Sequence, residues 1–97
     1  MVNYHVALRK IATQIKDRYG INSRKTITID LGGLNLLSDG YTIWDLKFLE
    51  DQNYIFHYQI TRHFPKREFG FRERLDDIYG LTSKGWKEFL NNYSFGF

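Results

Sequence analysis

Leu46-Lys47-Phe48-Leu49-Glu50-Asp51-Gln52-Asn53-Tyr54-Ile55 reads as a helix that stops and passes straight into a strand. Further along, Tyr79-Gly80-Leu81-Thr82-Ser83-Lys84-Gly85-Trp86-Lys87-Glu88-Phe89-Leu90 reads as a strand that caps a new helix. Thr42-Ile43-Trp44-Asp45 starts the first of these helices, with Thr42 as N-cap and Asp45 reaching back as a short variant of the capping box. Ile43, Leu46 and Leu49 form its inward stripe, and Asn53 suits a left-handed stop. A strand over 41–49 fails, because neither alternate set of residues is consistently apolar. Residues 55–64 do alternate, with Ile55, His57, Gln59 and Thr61 on one side and Phe56, Tyr58, Ile60 and Arg62 on the other.

Pro65 has no N–H to donate and is expected to end that pairing. Residues 66–77 are charged, contain Gly70 and read as a long hairpin tip, with a helical turn over 72–78 as the alternative. Residues 78–81 make the return strand. Thr82 then caps the last helix, Leu81 can staple onto Trp86, and Trp86, Phe89, Leu90 and Tyr93 form its buried face.

Working outward to the first half, Tyr4, Leu8, Ile11, Ala12, Ile15 and Tyr19 recur at helical steps, and Gly20 suits the left-handed position after a helix end. Residues 25–31 alternate and are rich in β-branched side chains, as a half-buried strand requires. Residues 32–40 carry glycines at both ends around Leu34, Leu36 and Leu37. Because each glycine costs a helix about 1 kcal/mol relative to alanine, a helix there is limited to one or two turns. The expected class is α+β, one domain over 1–97, in the order helix, strand, short helix, helix, strand, hairpin, strand, helix. Its expected core includes Leu8, Ile11, Ile15, Leu46, Leu49, Phe89 and Leu90.

Apolar residues at 42% and charged residues at 26% describe a globular chain rather than a disordered one. No apolar run approaches the roughly 20 residues of a membrane span, and Arg9 and Lys10 interrupt any signal-peptide layout. Cysteine is absent, which excludes disulfides, zinc–thiolate sites and cysteine nucleophiles. A cytoplasmic setting without membrane contact is expected. The net charge of +3 permits nucleic-acid binding without demanding it, so its distribution matters. Residues 1–30 hold six Lys/Arg against two acids, whereas residues 31–55 hold Lys47 against Asp39, Asp45, Glu50 and Asp51. From Arg62 to Arg74 the count is five basic to two acidic, with His63 among them.

The leucines followed by an acid and then Asn-aromatic-Ile are similar to the end of the recognition helix in winged helix-turn-helix regulators. Leu81-Thr82-Ser83-Lys84-Gly85 resembles the wing-to-helix junction common among them. In size and layout the chain resembles small winged-helix proteins carried by prophages and mobile elements of Gram-positive bacteria. The resemblance covers residues 41–92 well and 1–40 loosely, and the glycine-containing short helix departs from it. It implies a single winged helix-turn-helix domain, with a recognition helix after Thr42 and a wing over the charged hairpin.

Such a helix ordinarily places basic or amide side chains against base edges. Here its outward positions are expected to be Trp44, Asp45, Lys47, Phe48 and Asp51, and each acid repels a phosphate backbone. Trp44 and Phe48, four apart, would form a docking patch or a base-stacking platform; in the alternative the helix is rotated and both rings are core. The wing holds Arg62, His63, Lys66, Arg67, Arg72 and Arg74, interleaved with Phe64, Phe69 and Phe71. Arginines there can reach phosphates, and aromatics can stack on unpaired bases; in the alternative Glu68 and Glu73 pair the arginines on a solvated hairpin. His5, His57 and His63 have no metal-ligand spacing, and Gly32-Gly33 lacks the lysine and hydroxyl of a phosphate loop. Asp76-Asp77 near Glu73 is read as offsetting the arginines opposite rather than holding a cation. No enzyme, cofactor or metal is expected.

Two functions compete. In one, the chain is a small DNA-binding regulator or mobile-element accessory protein, contacting duplex or single-stranded DNA through Arg9 and Lys10 of the first helix, Lys47 and the basic wing. In the other it is a protein-interaction module or inhibitor using the acidic, aromatic face of the helix after Thr42. A homodimer through the first and last helices and the aromatic tail, Tyr93, Phe95 and Phe97, is also expected.

Overall fold

The computed structural model describes residues 4–31, 39–67 and 70–93, without the side chains of 63–73 and of Tyr93. Helix α1 spans Tyr4–Tyr19 and buries Ala7, Leu8, Ile11, Ala12 and Ile15, the face its periodicity marks. Tyr19, expected on that stripe, is instead exposed because the helix ends there. Gly20 takes φ +97° and its N–H donates to the Lys16 carbonyl at 2.8 Å, satisfying a terminal carbonyl as a left-handed cap does. Strand β1 is Ile27–Ile29, shorter than the alternation over 25–31, with Ile27 and Ile29 inward.

Helix α2 spans Ile43–Asp51. The Asp45 carboxylate accepts the Thr42 N–H at 2.8 Å and the Thr42 hydroxyl at 3.3 Å, so the acid closes the first turn. This corrects the expected outward position of Asp45, which is buried at 2% exposure. Ile43 is turned out instead of in, and Tyr41 fills the core beside Leu46 and Leu49. Asn53 stops the helix at φ +66°, with its N–H on the Glu50 carbonyl, and the Tyr54 N–H then reaches the Leu49 carbonyl at 2.9 Å.

Strand β2, Ile55–Arg67, and strand β3, Gly70–Leu81, form a long antiparallel hairpin, and helix α3, Ser83–Tyr93, closes the chain. The strand order is β1-β3-β2, with β1 also antiparallel to β3. The described residues thus make a small α+β fold of three helices and one three-stranded sheet. The short helix expected within 32–40 falls largely outside the described residues. All three helices contribute to one core, in which Leu8, Ile11, Ile15, Leu46, Leu49 and Phe89 are buried, and Leu90, expected with them, packs partly buried at its margin.

The hairpin corrects two expectations. Pairing runs on past Pro65 to Arg67, and the return strand begins at Gly70 rather than at Ile78, with no helical turn over 72–78. Thr82 N–H donates to the Tyr54 carbonyl in the register that pairs Ile55 with Leu81 and Phe64 with Arg72. Hydrogen-bonding direction alternates along a strand. Even-numbered β2 residues through Phe64 therefore point their backbone groups at β3, and Pro65 faces the open edge. Its missing N–H removes no bond to β3, and the register shift between Phe64 and Arg67 follows it.

Because β1 covers only Asp77–Tyr79 of β3, the hairpin continues beyond the sheet as a two-stranded arm.

Candidate nucleic-acid interface

The junction that aims the arm is built from Thr82. Its N–H and its hydroxyl both meet the Tyr54 carbonyl, its hydroxyl oxygen also lies 2.6 Å from the Asn53 carbonyl, and it accepts the Gly85 N–H at 3.0 Å. A Cβ on Gly85 would collide with the Tyr54 carbonyl oxygen, so only glycine lets α3 approach the α2–β2 turn this closely. Lys84 donates to the Gln52 carbonyl at 2.8 Å across the same junction, and Trp86 Nε1 donates to the Ser23 carbonyl at 2.9 Å. The Leu-Thr-x-x-Gly stretch thus ties the end of α2 and the base of the arm to α3.

On α2, Trp44 and Phe48 part company. Trp44 is 70% exposed, with Lys47 Nζ 5.9 Å from its ring centre, within cation–π range. Phe48 is half-buried against Tyr4, ring centres 4.7 Å apart. The expected pair of adjacent surface rings reduces to one, because α1 covers the second. Lys47 borders a depression of about 320 Å³ with Ile43, Glu50, Asp51, His57 and Tyr79.

His57 is tied to two acids at that depression. Its Nε2 lies 2.9 Å from Asp77 Oδ1, its Nδ1 lies 3.5 Å from Glu50 Oε1, and its ring stacks on Tyr79 at 4.3 Å. Gln59 donates to the same Asp77 oxygen at 3.0 Å. Burial, then the charges of Asp77 and Glu50, push the Tyr79 hydroxyl well above the ordinary tyrosine range.

Arg62 and Arg74 are direct cross-strand partners on the arm. Like charges so placed repel, and Asp76 resolves the conflict. Arg62 Nε donates to Asp76 Oδ2, and Arg74 Nε to Asp76 Oδ1 at 2.9 Å. Asp76 is buried at 6% exposure. Burial works to raise its pKa, but the two arginine hydrogen bonds and charges outweigh that and hold the carboxyl below its usual range. Asp77, the neighbouring acid, faces the other side of the sheet toward His57, so the two acids form no joint cluster. Among the described residues no group of His, Cys, Asp and Glu is arranged to hold a metal ion.

Arg9 and Lys10 are exposed on α1 and, with Lys16, line a separate cleft of about 870 Å³ between α1 and α3, walled by Val6, Ile21, Phe89 and Leu90. The structure brings Trp44 to Lys47 and Arg62 to Arg74, but Arg9 and Lys10 border a different cleft from Lys47. The side chains of His63, Lys66, Arg67, Phe71 and Arg72, and Phe69 as a whole, lie outside the described residues, as does the tail 94–97. Of the two acids read from sequence as offsetting the arginines opposite, Asp76 does so, pairing with Arg62 and Arg74, while Asp77 pairs with His57 instead. The signal for Asp76 is an acid two residues from Arg74, hence on the same face of an extended strand.

Comparison of the chain with protein-family models, curated proteins and solved structures finds no match. No helix among the described residues is long and apolar enough to cross a membrane.

Proposed function

We propose that this chain is a nucleic-acid-binding domain of the winged-helix kind, a small DNA-binding regulator or mobile-element accessory protein. The observation that carries the reading is the union of α2, running directly into β2, with a Lys/Arg-rich two-stranded arm that continues past the sheet. The strand order β1-β3-β2 and the final helix suit a winged helix. The acidity of α2, the main objection from sequence, is reduced by one residue, because Asp45 is turned into the first turn. Beside Ile43, Glu50 and Asp51, α2 also exposes Trp44 next to Lys47, a pair able to stack on a base or approach a groove. The arm supplies backbone contacts. Dimerisation belongs to the same proposal, with α1, α3 and the aromatic tail, Tyr93, Phe95 and Phe97, as the seam. Sedimentation of the full chain beside a version ending at Asn92 tests it, and a full-length monomer at tens of micromolar retires it.

Gel shifts with duplex and single-stranded DNA over a salt series test the binding itself. Affinity should fall with salt at a logarithmic slope of about −0.9 per phosphate contact on duplex or about −0.7 on single strands. Absence of binding even at low salt overturns the reading. It would favour the protein-interaction alternative, for which the exposed Trp44 and Ile43 are the observation.

A further inference from the structure

Arg62 and Arg74 are not independent surface cations. Each gives its Nε to a different oxygen of one buried carboxylate, while their side chains remain 51% and 62% exposed. The guanidinium plane is rigid, so fixing Nε fixes the direction of the whole fork. Two forks are thereby set side by side on one face of the arm, with part of their freedom already lost before any ligand arrives. An arginine pair held this way suits an oxyanion with several acceptor oxygens. The triad of two cations and one anion carries a net charge of +1, which matches a phosphodiester bearing one negative charge.

We propose that Arg62 and Arg74 form a seat for a single backbone phosphate of nucleic acid and that Asp76 is its positioning residue. The proposal rests on the nucleic-acid reading above and adds to it how the contact is made. It differs sharply from simple attraction by a basic arm, in which Asp76 is a liability that cancels a useful charge.

Asp76→Asn separates the two, because it keeps the size of the side chain and raises the net charge by one. Attraction alone makes this variant bind a labelled oligonucleotide more tightly, with a steeper salt slope. The seat makes it bind about tenfold more weakly, the order expected when one charge-assisted contact is lost. Arg62→Lys combined with Arg74→Lys keeps both charges but removes both forks, and it should show a similar loss. Combining all three substitutions should add little further loss if Asp76 acts through the arginines. Circular dichroism checks folding, and if Asp76→Asn unfolds, the double lysine variant carries the test, since both arginines are exposed. Tighter or unchanged binding by Asp76→Asn, or unchanged binding by the folded double lysine variant, overturns the seat while leaving nucleic-acid binding in place. Wild-type protein that binds neither duplex nor single strand at low salt removes both.

Discussion

Gly85 sits where a helix must start against a carbonyl. The first turn of α3 approaches the Tyr54 backbone so closely that any side chain there displaces one of them. Gly85→Ala is expected to destabilise the fold by about 1–3 kcal/mol, the range for overpacking a rigid site. Gly20→Ala is a useful contrast, since Gly20 has φ +97° but nothing within 4 Å of the place a methyl group would take. Its cost should be left-handed strain alone, about 1–2 kcal/mol. Urea unfolding of the two variants checks the pair, and a Gly85→Ala protein as stable as wild type would contradict the close approach. Asp45 gives the same kind of test at the start of α2. Asp45→Ala removes the acceptor for the Thr42 N–H and should cost about 1 kcal/mol, by analogy with other lost caps.

The elements differ in how openly the sequence declares them. Helix α1 and both caps of α2 are legible because their signals are local: a repeating apolar stripe, Thr42 before Asp45, Asn53 as a stop. The arm is not, since both faces of a two-stranded ribbon are open to water and no apolar alternation is enforced. Its pattern is even inverted at one step, with Leu75 58% exposed and Asp76 buried. Pro65 misleads in the same region, because only the register shows that its nitrogen faces the open edge. The basic side of the candidate site can be counted from sequence, whereas the carboxylate that organises it depends on a cross-strand pairing. The Asp76 carboxyl also sets an acid sensitivity. Its pKa is held below the ordinary 3.8, so the triad contributes stability that is fully present above that value and is lost as pH falls below it. The difference in urea midpoint between wild type and Asp76→Asn should therefore be largest near neutrality and shrink as pH falls below the ordinary 3.8. A constant difference would show that the carboxylate charge contributes nothing to the folded arm.

At the scale of the molecule, the core and the charged surface make separate demands. Burial first, then Asp39, pushes the Tyr41 hydroxyl up to about 12, and Tyr79 rises further for the same leading reason. A raised folded-state value means stability present below the ordinary 10 and lost as pH climbs through the folded value. Absorbance titration should accordingly show two tyrosinates forming late and together with alkaline unfolding. The charged surface is divided, since Arg9 and Lys10 line the α1–α3 cleft while Lys47 and the arm lie on other elements. A cation in contact with a phosphate releases a counterion and moves the salt slope by about one unit, whereas one acting at a distance strengthens the field and moves it less. Lys47→Ala should flatten the slope by close to a full unit. Arg9→Ala with Lys10→Ala separates the two proposals for α1: if the pair contacts phosphates the slope should flatten by about two units, whereas if the proposed dimer seam covers their cleft it should change by less than about one. A two-unit flattening from that pair would put α1 on the backbone, and the dimer seam would then have to lie elsewhere.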